Sequence, residues 1–157
     1  MPLCTSNKPY TINFIKADYD VQMKKGSEFS TGYDIQSQET VLIAPHHRVL
    51  VDSGLRLEQP THNDIYLRIA PRSSLSLKGI DISAGVVDPD YLGAIKILLC
   101  NNSPNSYKVN KGDFVAQIIL EKINEFYSVA LNETPIISYK TRGTDAFGSS
   151  NNLTPTI

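Results

Sequence analysis

"NKGDFVAQIILEKI", Asn110–Ile123, is the stretch on which the fold class turns. Its apolar residues suit either a buried helix or a strand. The β-branched Val115, Ile118 and Ile119, entered through a Lys111-Gly112-Asp113 turn, favour the strand. It then joins a series of short apolar or alternating runs separated by turn residues, at intervals of roughly 10 to 15 residues: "YTINFIK", "TVLIA", "RVLVDSGLRL", "DIYLRIA", "AGVV", "AIKILLC" and "FYSVAL". No 3.6-residue apolar period persists with caps, and only "SSLSLKG" suits a brief helical turn. Many short strands without alternating helices predict an all-β domain: a sandwich, a jelly roll or a small barrel.

The composition places few demands on partners. A chain of 157 residues, 41% hydrophobic and 20% charged, has enough apolar residues for one domain with a real core, and a net charge of −1 gives no global field for DNA or an acidic membrane. Any anion site must be local. Cys4 and Cys100 are expected as free thiols, which fits a reducing compartment. No window reaches the length of a membrane span and the start has no leader pattern, so an intracellular soluble protein, cytoplasmic or nuclear, is expected. His46, His47 and His62 match no metal-ligand spacing, and "PHHR" reads as an exposed turn. The β domain is expected to end at residue 131. The segment 132–157, rich in Gly, Ser, Thr and Asn towards its end, reads as a mobile arm whose last twenty residues span up to roughly 60 Å.

Five segments hold more special residues than strands and turns require. In "APRSSLSLKGI" (70–80), Pro71 ends a strand, and Arg72, Ser73 and Ser74 follow where the opening turn exposes backbone N–H groups; this is a phosphate-sized anion nest or, more plainly, a surface turn with one ion pair. "SAGVVDPDYLGAIKILLCN" (83–101) reads as a β-hairpin with a wide loop. Asp88 there follows small and apolar residues and is expected to be partly desolvated, able to hold and polarise a water. Tyr91 offers a flat face to a sugar or base, and Asp90 suits the turn. Gln117, read as buried, must pair in the core or point at a ligand. Asp34 in "TGYDIQS" (31–37) needs a bonded partner in its apolar frame. Arg142 and Phe147 in "RGTDAFGSS" (142–150) pair a cation with a ring in the arm. Neither GxxxxGK[ST] nor GxGxxG occurs, which leaves out P-loop and Rossmann sites.

Taken in order, "TGYDIQS", "APRSSLSLKGI", "AGVVDPDYLG", "KGDFVAQIILEKI" and "RGTDAFGSS" resemble the five motifs of the trimeric deoxyuridine triphosphatase (dUTPase) family, over roughly residues 10 to 150. The resemblance implies an all-β, jelly-roll-like (β-clip) subunit with a flexible C-terminal arm. It also implies a homotrimer with shared active sites, and Mg2+-dependent hydrolysis of dUTP to dUMP and pyrophosphate, with no nucleic-acid or membrane partner.

Carried over position by position, Asp88 is the carboxylate that activates the attacking water. Arg72, Ser73, Ser74, Gln117, Arg142, Gly148 and Ser149 bind phosphates, with Ser73 near the α,β-bridge. The hairpin from Ala84 through Gly85, Val86 and Val87 to Ile95, Lys96 and Ile97 reads uracil through its backbone, Tyr91 lies under the sugar, and Phe147 stacks on the base. Asp34 is a supporting acid, and Mg2+ is held mainly by the triphosphate and waters, with no direct protein ligand. The active site would combine the first, second and fourth motifs of one chain, the third of a second and the fifth of a third.

This chain departs from the family pattern with Asp145 and Ala146 where two glycines are usual, Ser74 where glycine is common, and Gln38 where a small apolar residue is frequent. Two other classes stay open: a dUTPase-like binding or regulatory module without catalysis, and a dCTP deaminase, which needs an acid/base carboxylate at C4 of the base.

Overall fold

A computed structural model describes residues 11–124 and 128–131 of the chain. It divides into two units, Met1–Glu125 and Phe126–Ile157. Of the second unit only residues 128–131 are described; they are exposed and without regular structure. The arm residues Arg142, Phe147, Gly148 and Ser149, together with Cys4, lie outside the described residues.

The first unit is built from short strands. In chain order these are β1 (Phe14–Lys16), β2 (Met23–Lys25), β3 (Tyr33–Gln36), β4 (Val41–Ile43), β5 (Arg48–Asp52) and β6 (Leu55–Leu57). β7 (Ile65–Ala70), β8 (Ile80–Ser83), β9 (Val86–Val87), β10 (Lys96–Asn101), β11 (Tyr107–Val109) and β12 (Phe114–Lys122) follow. Among the described residues the helical content is a single turn, α1 (Ser73–Ser76), where "SSLSLKG" predicts one.

All pairing among these strands is antiparallel. The main sheet runs β2-β3-β12-β7-β9, a second runs β5-β10-β8, and the pairs β1-β6 and β11-β4 complete the set. This is the all-β architecture that strand-like "FVAQIILEK" demands, with that segment as the middle strand of the largest sheet. Ile35, Leu67 and Ile118 from β3, β7 and β12, and Val51, Ile97 and Leu99 from β5 and β10, are fully buried in one apolar cluster. Burial at about 25 cal/mol per Å2 of apolar surface holds the sheets together.

Three sequence expectations require correction. "RVLVDSGLRL" is two strands in two sheets, because Gly54 at φ +72° leaves the extended region between β5 and β6. The 83–101 hairpin is wider than its motif suggests: its paired arms are β8 and β10, with Ser83 opposite Leu98. Val86 and Val87 leave it and pair with Arg68 and Leu67 of β7. Ala84, at φ +51°, is where the chain turns between the two sheets. Finally, β2, β3, β8 and β11 lie outside the runs that read as strands in the sequence.

Candidate active site

A register irregularity in β12 sets the site. Phe114 lies opposite Gln36, whereas Ala116 lies opposite Ile35, so Val115 is the extra residue of a β-bulge. Beyond the bulge Ala116 and Ile118 face the core, and Gln117 emerges on the other face between Asp34 of β3 and Ala70 of β7. Three motifs far apart in sequence thus meet across adjacent strands. Pro71 follows Ala70 directly, and its carbonyl accepts a hydrogen bond from Gln117 Nε2 at 2.8 Å. Gln117 is half-buried rather than buried as the sequence suggests, because the bulge delivers it to the outer face.

Arg72 is held from two sides. Its Nη2 lies 3.1 Å from Asp34 Oδ2, and its Nη1 donates to the Phe114 carbonyl at 2.7 Å. The Asp34 carboxylate therefore has the bonded partner that its apolar frame requires. The chain after Arg72 enters α1 rather than an irregular nest. Ser73 and Ser74 are exposed at its start, where first-turn N–H groups have no intrahelical acceptor, and Leu75 plugs into the core. Together Gly26, Ser30, Gly32, Asp34, Arg72, Ser73, Ser74 and Gln117 line an open cleft of about 280 Å3. It offers one guanidinium, three hydroxyls and an amide against one carboxylate, a donor-rich set suited to a polyanion.

Gly26, Ser30 and Gly32 were not among the sequence candidates. Gly32, beside the first motif's Tyr33-Asp34, has a steric reason to be there: a Cβ would fall 2.1 Å from Gln117 Oε1. The Phe114 carbonyl is likewise invisible in sequence, since any residue supplies one.

The hairpin loop is a second feature of the same unit, and its residues do not line the cleft. The Tyr91 N–H donates to the Asp88 carbonyl at 3.1 Å, closing a turn over Asp88-Pro89-Asp90-Tyr91, and the Pro89 carbonyl accepts from Thr61 N–H at 2.8 Å. Asp88 is exposed, not partly desolvated: its small neighbours turn away into β9, where Val87 is buried and Val86 is exposed. Tyr91 is 46% exposed and its hydroxyl donates to the Ala94 carbonyl. Gly85 accepts a bond from Ile69 N–H at 2.6 Å. Ile95 and Ile97 are buried, Ile95 being bonded through its backbone to Leu55 and Ser53. Lys96 points outward to Asp52, Nζ to Oδ2 2.8 Å.

That pair perturbs both partners. Burial pushes the Asp52 carboxyl up, but the hydrogen bonds from Lys96 and from Gly54 N–H outweigh it and hold the group below its ordinary value. The hydrogen bond to Asp52, reinforced by its charge, raises Lys96. On the outer face of β7 and β12, Glu121 accepts from Tyr66 Oη and Arg68 Nε. The first bond, followed by the second, lowers the Glu121 carboxyl, and the Glu121 contact raises the Tyr66 hydroxyl.

Among the described residues no three His, Cys, Asp or Glu side chains gather as a metal site, and no helix is long and apolar enough to cross a membrane. Cys100 is a buried free thiol.

Comparison with known proteins identifies the family. The dUTPase family model matches residues 19–151. The deoxyuridine 5'-triphosphate nucleotidohydrolase of variola virus is 41% identical over 124 residues, covering 79% of this chain and 81% of the relative. Among solved structures, the dUTPase of Staphylococcus bacteriophage 80alpha with dUPNHPP aligns with a TM-score of 0.74 at 22% identity over 90% of this chain and 99% of the other. A mutant dUTPase from phage phi11 of S. aureus, described with a structural Mg(II) ion, aligns at 0.70 and 19% identity over 84% and 100%. These structures share the jelly-roll fold. With a family model spanning most of its length and a relative of that identity and coverage, the chain belongs to the dUTPase family.

Proposed function

We propose that this protein hydrolyses dUTP to dUMP and pyrophosphate. The observation that carries the reading is the cleft in which Asp34, Arg72, Ser73, Ser74 and Gln117, from three separate motifs, converge in a chain of the dUTPase family. Arg72 and the hydroxyls of Ser73 and Ser74 bind the phosphate chain, Ser73 facing the bridge between the α and β phosphates, and Gln117 orients it. Asp88 accepts a proton from the water that attacks the α-phosphorus; the α,β-bridging oxygen leaves with pyrophosphate. The loop from Ala84 to Ile97 reads uracil by main-chain N–H and C=O groups. Cytosine reverses the donor and acceptor at positions 3 and 4 and leaves buried groups unpaired. Tyr91 packs under the deoxyribose, where a 2'-hydroxyl is crowded.

The donor set also fits Mg2+ arriving on the nucleotide. A single carboxylate, already engaged by Arg72, together with the hydroxyls suits outer contacts to metal-bound water rather than a protein cage, with Asp34 in the supporting place. Mg2+ bound with the substrate supplies charge neutralisation on the triphosphate.

Asp88 and Tyr91 do not line the cleft of their own chain, which supports a homotrimer in which the hairpin of one subunit meets the cleft of another. The arm, 132–157, is assigned the closing role: Arg142 on the γ-phosphate, Phe147 on uracil, Gly148 and Ser149 around the phosphates. The β domain, 1–131, supplies the rest.

The test is pyrophosphate release with Mg2+ from dUTP, dTTP, dCTP and UTP. Rapid release from dUTP alone is expected, and Asp88→Asn is expected to lower kcat by about a hundredfold to ten-thousandfold. A folded trimer that binds dUTP without turning it over would instead make the protein a binding module, and ammonia release from dCTP would make it a deaminase.

A further inference from the structure

α1 is only four residues long, yet it carries Ser73 and Ser74 of the cleft. A one-turn helix of this kind is marginal without tertiary anchors. Three anchors lie at its C-terminal side. Ser76 Oγ donates to Asp81 Oδ1 at 2.8 Å, and the other carboxylate oxygen of Asp81 accepts from Asn102 Nδ2 at 3.1 Å. Between them, the Gly79 carbonyl accepts from Asn102 N–H at 2.7 Å. Asp81 is in β8, in register with Cys100 of β10.

The residue behind this joint is itself fixed. Asn101 is buried; its Nδ2 donates to the carbonyls of Ile43, Ala44 and Asn105, and its Oδ1 accepts from Ser103 N–H and Oγ. The Asp81 carboxylate therefore links α1 to the end of β10.

Resting on the functional reading above, we propose that Asp81 is a positioning residue for dUTP hydrolysis: by bridging Ser76 and Asn102 it fixes α1 and so places Ser73 against the leaving pyrophosphate. It touches no substrate. Neither Asp81, Ser76 nor Asn102 lines the cleft, so their effect on turnover must pass through α1.

The test uses the full chain, with kcat and KM for dUTP measured beside the affinity for dUMP, which lacks the leaving group facing Ser73. Asp81→Ala removes both acceptor oxygens and breaks the bridge; Ser76→Ala breaks one half of it without touching β8. Each is expected to lower kcat about tenfold, a size typical of a small misplacement near the reacting groups, with dUMP affinity within about twofold of wild type. Asp81→Asn, whose amide oxygen can accept from Asn102 Nδ2 while its NH2 donates to the Ser76 hydroxyl, should keep kcat within about threefold of wild type.

If the wild type hydrolyses dUTP and Ser76→Ala or Asp81→Ala matches it, the positioning role is overturned. It is equally overturned if Asp81→Asn is as slow as Asp81→Ala, or if dUMP affinity falls in step with kcat. A wild-type protein that does not hydrolyse dUTP would overturn the functional reading instead.

Discussion

A Cβ at residue 32 would stand 2.1 Å from Gln117 Oε1 and 2.9 Å from its Cδ, so Gly32 and Gln117 occupy one shared volume. The obstructing atoms belong to the end of a flexible side chain, and Gly32 has no positive φ that would strain another residue. Gly32→Ala should therefore fold, with a loss of at most about 1 kcal/mol, while pushing the Gln117 amide off the Pro71 carbonyl. The expected outcome is a dUTP KM raised about tenfold with a melting temperature within a few degrees of wild type. An unchanged KM would remove Gln117 from phosphate binding. At this scale the sequence was informative about which residues matter and poor about how they are held. Asp34 visibly needed a partner, but that the partner is Arg72, and that Arg72 also leans on a main-chain carbonyl, depends on a bulge that leaves no mark in composition.

Among elements, β10 and its neighbours show the same division. Its apolar run was legible as a strand, but its two flanking partners were not, because antiparallel register is fixed by contacts remote in sequence. The run "AGVV" fits a hairpin arm by every local rule, yet Val86 and Val87 pair with β7, where Val87 is buried and Val86 is exposed. The ion pair that ties β10 to β5, Lys96 with Asp52, has a pH signature. The folded-state value of Asp52 is depressed, so its contribution is present above the ordinary carboxylate range and is lost as pH falls through the depressed value. Lys96 is raised, so its contribution holds below the ordinary lysine value and is lost as pH rises through the raised one. The gap in melting temperature between wild type and Asp52→Asn should accordingly be constant near neutrality and close below about pH 4. A gap that persists at pH 2 would show that the carboxylate charge is not what stabilises this edge.

For the whole molecule, the all-β class followed from one ambiguous segment read as a strand, and the jelly-roll arrangement needed the long-range pairings that local pattern does not encode. The shared-site reading makes a claim about assembly and arm together. In solution the chain should sediment at about 52 kDa, three copies of 17.4 kDa. A chain ending at Lys140 should still sediment as three copies, at three times its own shorter mass, and lose at least about a hundredfold in pyrophosphate release, because closure over the nucleotide is removed and assembly is not. Retained activity would refute the arm's assignment, and a monomer with full activity would refute the shared site.

The double tether on Arg72 has one more consequence, for the entropy of binding. A free arginine side chain carries about 2 kcal/mol of rotamer freedom, which a binding site normally surrenders when ligand arrives. Here Asp34 and the Phe114 carbonyl hold the guanidinium, 3.1 and 2.7 Å away, so that loss is taken at folding rather than at binding. A polyanion entering the cleft meets a cation already aimed, and much of the attraction between them is free to appear as affinity.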